Sequence, residues 1–281
     1  MDIDIIIPTA KKIVELNNPI YYTIRSILAQ DIQPKKIVVV ENKTNIGVSK
    51  FMKYHFGDMI TVVQNEKQLQ SNISAARNKG VEYCNSDILL FMDDDVVIGK
   101  KGTLSTVTKH MDYIDFYCGA QRYWSNLDWT EYIKSEYHLN HILMILRERS
   151  FLPRSIDRNS GKRSFHDYSF IGHFGAIAKN TFYEIGGFDE NYKMWTYQDT
   201  DLMMRLCEKG YIYQIMAHDD IFVYHLSHKV DKSKSQNINR KLFYDKQSQM
   251  GIKFCMSHFF GLFNHDDDLS VIKRIEKTGT N

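Results

Sequence analysis

The sequence predicts an α/β fold: a mostly parallel sheet flanked by helices, with a helical extension toward the C-terminus. Short continuous apolar runs are the first sign. Ile5-Ile6-Ile7, Ile37-Val38-Val39-Val40 and Ile88-Leu89-Leu90-Phe91-Met92 have the length and composition of strands buried on both faces. Helical spacings recur between these runs, and strands alternating with helices imply right-handed crossovers and a sheet covered on both sides. The third sign is Asp93-Asp94-Asp95, three carboxylates that follow directly on the most apolar run. In open α/β sheets, ligands sit just beyond the carboxyl ends of the strands.

Each element follows in order. Asp4 to Thr9 reads as a first strand, stopped by Pro8. Asn18 to Gln30 has helical spacing, with Tyr22, Ile24, Ile27 and Leu28 on its apolar side. Lys36 to Val40 is a second strand ending at Glu41, and Met59 to Val63 is a third. Asn72 to Tyr83 reads as a helix leading into the strand before Asp93. A polar-aromatic helix is predicted from Asp128 to Arg149, then a basic loop from Ser150 to Tyr168 and a strand within Phe170 to Lys179. A short helix from Thr181 to Glu184 stops at Gly186-Gly187. Asp199 to Lys209 begins with acidic residues and ends at Gly210, as a helix should. Phe222-Val223-Tyr224 is a last short strand leading to His225. Lys229 to Lys241 is polar and basic, like a linker or a mobile flap, and Leu242 to Phe263 reads as an aromatic-rich helix. The domain boundaries read are 1–228 for the catalytic core and 229–281 for the extension.

Bulk properties narrow the class. A formal net charge of +2 over 281 residues gives no footprint for nucleic acid. Cys84, Cys118, Cys207 and Cys255 are widely spaced and lack a CxxC pair, so neither a zinc site nor a disulfide framework is expected. No apolar run of membrane-spanning length appears, and the N-terminus opens on a strand pattern rather than a signal peptide. The expected location is cytoplasmic, free or peripheral to the inner face of a membrane. The aromatic C-terminal segment is read as packing on the core, with homodimerisation or membrane docking as its sharper alternatives. Asp266-Asp267-Asp268 has no apolar strand before it and reads as a solvated tail.

The acidic run carries the chemistry. On an extended backbone Asp93 and Asp95 point to the same side. Two carboxylates aimed into a ligand crevice repel each other unless a cation joins them. Hard oxygen ligands suit Mg2+ or Mn2+, with substrate phosphates completing the shell.

Taken with other blocks, this run resembles the family-2 glycosyltransferases of the GT-A fold. The blocks are Ile5-Ile6-Ile7-Pro8-Thr9, Ser26-Ile27-Leu28-Ala29-Gln30, Val38-Val39-Val40-Glu41-Asn42 and Ala76-Arg77-Asn78-Lys79-Gly80. Gly186-Gly187-Phe188-Asp189-Glu190 and Gln198-Asp199-Thr200-Asp201, followed by Arg205-Leu206, complete the set. Each is common alone; their order over residues 3 to 228 carries the resemblance.

The resemblance implies an inverting, metal-assisted transfer from a nucleoside diphosphate sugar, a UDP-sugar being favoured, to a hydroxyl of a glycan or glycoconjugate. Donor contacts would come from Pro8, Thr9, Glu41, Arg77, Asp93 and Asp94. Asp93, Asp95 and His225 would hold Mn2+ or Mg2+, with His228 as the alternative to His225. Asp199 would be the general base, removing the acceptor proton as oxygen attacks the anomeric carbon. Asp201 is read as structural. The sequence departs from the family at Glu41, usually Asp, at Ala10, usually aromatic, and at Gln198, usually an acid. Gly172, Gly175 and Gly187 are read as permitting close approach to a sugar, and Trp195 as a ring to stack on one. A sugar-phosphate nucleotidyltransferase, a glycoside hydrolase and a non-catalytic sugar-nucleotide-binding module are the rivals. Pro8-Thr9-Ala10-Lys11-Lys12 lacks the Gly-rich phosphate loop the first would need.

Overall fold

In a computed structural model of the chain, the residues described are 1–10, 18–42, 47–65, 72–118, 120–125, 139–151, 172–193, 197–219, 221–226 and 236–249. Eleven strands are assigned among them: β1 (Ile3–Thr9), β2 (Lys36–Asn42), β3 (Ile60–Asn65), β4 (Ile88–Met92), β5 (Val96–Ile98), β6 (Phe116–Cys118), β7 (Gln121–Ser125), β8 (Ser150–Phe151), β9 (Phe174–Ala178), β10 (Tyr213–Ile215) and β11 (Phe222–His225). The α-helices are α1 (Pro19–Leu28), α2 (Val48–Phe56), α3 (Ile73–Val81), α4 (Thr103–His110), α5 (Leu139–Arg149), α6 (Lys179–Glu184), α7 (Gln198–Glu208) and α8 (Gln236–Gln249).

A seven-stranded sheet runs in the order β10-β6-β9-β4-β1-β2-β3. β1 pairs in parallel with β2 and β4, and β2 with β3. β9 runs antiparallel between β4 and β6, so the sheet is mixed on that side. The apolar runs alternate between two cores, as the two-residue strand period requires. Ile5, Ile7, Ile37, Val39, Leu90 and Met92 face one core, with α1, α2 and α4. Ile6, Val38, Val40, Leu89 and Phe91 face the other, with α3, α6 and α7. A continuous hydrophobic run was therefore the right signature for these strands.

The helix starts have local causes. Asn18 caps α1 by accepting from the Ile20 amide at 3.2 Å, and Pro19 supplies a preset φ at the first helical position. Asn72 caps α3, accepting from Ala75 at 3.0 Å. Gly80 lets α3 lie directly on β1 and β2, since a Cβ there would collide with Ile6 and Val40.

A smaller four-stranded sheet, β5-β11-β7-β8, lies beyond the C-terminal end of β4. Of its strands the sequence predicts only β11, read as Phe222-Val223-Tyr224; β5, β7, β8 and the helices α2 and α4 are not predicted. β4 and β5 are separated by Asp93-Asp94-Asp95 alone, so the acidic run is the place where the chain changes sheet. α1 ties the two together: Thr23 Oγ1 donates to Asp94 O at 3.1 Å and Ser26 Oγ accepts from the Ile98 amide at 3.1 Å.

Several boundaries differ from expectation. The first part of the helix read over Asp128 to Arg149 lies outside the described residues, and α5 covers its last eleven. Gln236 to Lys241, read as linker or flap, forms the first turns of α8, and the extension helix ends at Gln249 within the described residues. The rest of the flap reading, and the tail from 250 onward, lie outside them. Among the described residues no helix is long and apolar enough to cross a membrane.

Candidate active site

The site assembles where β1, β2 and β4 end. β1 and β2 are aligned so that Thr9 lies opposite Glu41. β1 and β4 pair Ile6 with Phe91, which carries Thr9 to the level of Asp94. Thr9 Oγ1 donates to Asp94 Oδ2 at 2.6 Å, and both residues are buried. Asp94 thus pins the turn to β1. Pro8 lies in β1 one residue before Thr9, opposite Val40. Glu41 is also buried. Desolvation holds its carboxyl above the usual range, opposed by a bond from the Val48 amide at the start of α2.

Arg77 lies at the centre. Its side chain is 1% exposed, yet it carries two ion pairs: Nη2 to Asp93 Oδ1 at 3.1 Å and Nη1 to Asp199 Oδ1 at 2.8 Å. The Phe188 ring lies 5.0 Å from its Cζ. Gly172 closes against the same guanidinium, where any Cβ would collide with Cζ and both terminal nitrogens. Arg77 is thus a buried bridge between two carboxylates, with both terminal nitrogens engaged. Gly172 makes room for its guanidinium.

Asp93 lies among three other carboxylates, with Arg77 as its cationic partner. Burial pushes its pKa up to about 6; Arg77 opposes this, while Asp95, Asp199 and Asp94 add to it. Such a surplus of carboxylate suits a cation. On the other side of the turn, Asp95 Oδ1 lies 3.6 Å from His225 Nε2. That closeness follows from the small sheet, which pairs Val96 with His225 in antiparallel register and binds the Leu226 amide to Asp95 O at 2.8 Å. Asp95 offers the carboxylate oxygen that Mn2+ and Mg2+ both take, and His225 an imidazole nitrogen, a softer donor that fits Mn2+ better than Mg2+. Asp93, the other carboxylate expected at the ion, gives Oδ1 to Arg77. Among the described residues no group of three His, Cys, Asp or Glu side chains is already arranged to hold a metal, so a bound ion would draw further ligands from elsewhere, such as donor phosphates. His228 lies outside the described residues.

Asp199 sits in the first turn of α7, where the helix dipole favours an anion. The helix begins at Tyr197 in left-handed conformation (φ 67°), with no side-chain capping bond. Asp199 directs Oδ1 to Arg77. Asp201 is fully buried and accepts from Tyr192 Oη at 3.1 Å, Arg205 Nε at 2.8 Å and Lys246 Nζ at 3.0 Å.

Sequence reasoning missed Asn78. It donates to Phe188 O at 2.8 Å and Glu190 Oε1 at 3.0 Å, and accepts from the Phe188 amide at 3.0 Å. It so fixes the loop whose Phe188 stacks on Arg77. Gly187 is needed here twice over: its φ is +67°, and a Cβ would lie 2.9 Å from Asn78 Oδ1. Gly175 lies inside β9 opposite Phe91. Trp195 is outside the described residues. His173 was also passed over; it is buried, and its carbonyl accepts the Asp93 amide at 3.1 Å.

Comparison with known proteins agrees with this architecture. Among solved structures, the chain is similar to Staphylococcus aureus TarS 1–349 in complex with UDP-GlcNAc (TM-score 0.61, 16% identity, 92% of this chain and 69% of that one). It is similar to GalNAc-T7 with UDP, GalNAc and Mn2+ (TM-score 0.57, 13% identity, 88% and 47%). It also resembles the mannosyltransferase PcManGT of Pyrobaculum calidifontis with GDP-Man and Mn2+ (TM-score 0.52, 15% identity, 89% and 63%). The chain thus spans less than two thirds of the length of the last two. At these identities the likeness establishes the GT-A fold. Comparison with curated proteins gives no match. A sequence pattern described as the N-terminal domain of galactosyltransferase matches residues 154–229. The pattern of glycosyl transferase family 2 matches residues 4–183, well over half of the chain, and with the GT-A sheet and acidic turn behind it the chain belongs to that family of glycosyltransferases.

Proposed function

We propose that this glycosyltransferase moves a sugar, with inversion, from a nucleoside diphosphate donor to a hydroxyl of a glycan or glycoconjugate. The observation that carries the reading is the Arg77 bridge. One buried guanidinium holds Asp93 of the acidic turn and Asp199 of α7, fixing the donor end of the sheet relative to the candidate base. Fixed geometry between reacting groups is where much of the rate in such a transfer originates.

In this reading the nucleoside lies over the ends of β1 and β2, at Pro8, Thr9 and Glu41, and the diphosphate over Asp93 to Asp95. Asp199 Oδ accepts the acceptor hydroxyl proton, the freed oxygen forms a bond to the anomeric carbon, and the bond from that carbon to the β-phosphate oxygen breaks with its electron pair on the leaving nucleoside diphosphate. Arg77 holds Asp199 oriented before the acceptor arrives. A Mn2+ or Mg2+ ion, which Asp95 and His225 would hold, supplies Lewis-acid stabilisation of the leaving diphosphate when bound. Among the neighbours one complex holds UDP-GlcNAc, one UDP, GalNAc and Mn2+, and one GDP-Man and Mn2+, which supports a nucleoside diphosphate sugar, a UDP-sugar first, and Mn2+ as the ion.

Asp199→Asn tests this directly. Asn is nearly isosteric and its Oδ1 can still accept from Arg77 Nη1, so the geometry is kept while the carboxylate charge and its capacity to take a proton are lost. Transfer should fall by about 100-fold to 10,000-fold, with UDP binding in Mn2+ unchanged by calorimetry. Turnover within a few-fold of the parent would move the base elsewhere. Screening UDP-GlcNAc, UDP-GalNAc and GDP-Man for slow hydrolysis selects the sugar.

A further inference from the structure

We infer that α8, outside the segment matched by the family-2 pattern, is a working part of the transfer site, and that Lys246 is a positioning residue for Asp199. The inference rests on Asp199 being the base.

The base is carried by the first turn of α7. That turn is held from within by Asp201, two residues on, which is completely buried. Arg205 grips one oxygen of Asp201 through Nε, while its terminal nitrogens donate to Ile185 O at 2.7 Å and Gly187 O at 2.8 Å. Arg205 therefore ties α7 to the loop that carries Phe188. The other oxygen of Asp201 accepts from Tyr192 and from Lys246 of α8. Lys246 simultaneously pairs with Asp189 of the same loop, and its ammonium lies 5.2 Å from the Tyr192 ring.

A second contact lies two turns earlier in α8. Asn239 Oδ1 accepts from the Lys193 amide at 2.9 Å and its Nδ2 donates to Lys193 O at 2.7 Å. One amide side chain thus reads both polar groups of a single backbone residue, as a strand partner would. Between the two contacts Phe243 is buried with Tyr192 and Met204. α8 is fastened by charge, backbone pairing and apolar burial to the segment just before the base and to the base's own helix. The loop is held from the opposite side by Asn78, the neighbour of Arg77 on α3.

The consequence is a closed chain of supports. Arg77 aims Asp199 from the donor side; Lys246, through Asp201, fixes the height of the turn that presents it. Removing the ammonium leaves Asp201 with Arg205 and Tyr192, which hold it within α7 and the loop but no longer against α8. The donor end of the sheet is held by its own bonds, Thr9 to Asp94 and Thr23 of α1 to Asp94 O, and should not respond.

The test uses the full chain. Lys246→Met keeps length and removes charge; Lys246→Arg restores a cation; Asn239→Ala breaks the second contact without touching the charge cluster. Each is measured for UDP affinity in Mn2+, for kcat with the donor selected above, and for amide hydrogen exchange over 197–202. We expect Lys246→Met to lower kcat about 10-fold to 100-fold, as small misplacements of reacting groups do. UDP affinity should stay within two-fold, exchange over 197–202 should accelerate, and Lys246→Arg should regain most of the kcat. Asn239→Ala should act in the same direction, and it decides the matter alone if Lys246→Met fails to fold. A kcat within two-fold of the parent in the folded variants overturns the inference, as does a parallel loss of UDP affinity. Asp199→Asn separates the two claims: if it retains transfer, the base assignment is wrong whatever Lys246 does.

Discussion

Gly172 and Arg77 show how little of a site's geometry is written beside its residues. Arg77 stands out through the family resemblance, but its partners are 16 and 122 residues away, and no linear pattern announces that its charge is turned inward. Gly172 gave no signal beyond being a glycine. Its role comes from the absence of a Cβ facing the guanidinium. Gly172→Ala should therefore act through Arg77: transfer falls at least about 10-fold, and the substitution adds nothing further in an Arg77→Ala background. A double-mutant cycle measures this, and additive losses would refute the shared path. The acidic residues were more legible, because a carboxylate triplet after a buried strand has few bland explanations. What separated their jobs was not legible: Asp93 to Arg77, Asp94 to Thr9, and Asp95 to His225.

Elements were legible in proportion to their length and apolar continuity. β1, β2 and β4 are five to seven residues long, and their hydrophobic runs identified them. β5, β6 and β10 have three residues each, too few for any period to show. α4 reads Thr-Leu-Ser-Thr-Val-Thr-Lys-His, with only two aliphatic side chains to betray a face. α8 was misplaced because its polar start resembles a linker, and its anchoring groups are Asn239 and Lys246 rather than a hydrophobic stripe. That mode of anchoring has a pH signature. Burial pushes the Asp189 carboxyl up, but the Lys246 ammonium and the Asn191 amide outweigh it and hold it below the usual range. A folded-state pKa lowered in this way contributes stability that is complete above the unfolded value of about 3.9 and is lost as pH falls through the folded value. Hydrogen exchange of 236–249, corrected for intrinsic rate, should be flat from pH 7 to about pH 4.5 and lose protection below about pH 4. Loss of protection already near pH 6 would show that another group governs the contact.

The whole molecule divides its labour between two sheets. Asp93, Arg77 and Asp199 belong to the large sheet and the helices on it; Asp95 and His225 belong to the small one. A ligand spanning both should fasten them to each other. UDP and Mn2+ together should raise unfolding stability by about 2.7 kcal/mol at a hundredfold excess over Kd, and neither alone should match it. His225→Ala should remove most of the Mn2+ contribution while sparing the fold of the ligand-free protein, as thermal unfolding would report. An unchanged Mn2+ response in that variant would place the ion elsewhere.

The turn between the sheets sets a further condition. Asp93 closes β4, Val96 opens β5, and the Val96 amide bonds back to Asp93 O at 3.4 Å. Three adjacent codons therefore supply groups that face in three directions, and the number of residues in the turn, more than their charge, determines those directions. Neutralising one carboxylate removes one group. Inserting a single residue leaves all three carboxylates in place and re-aims every one, while His225 stays where its own sheet puts it. Across its relatives the turn should tolerate exchange of letters far better than a change of length.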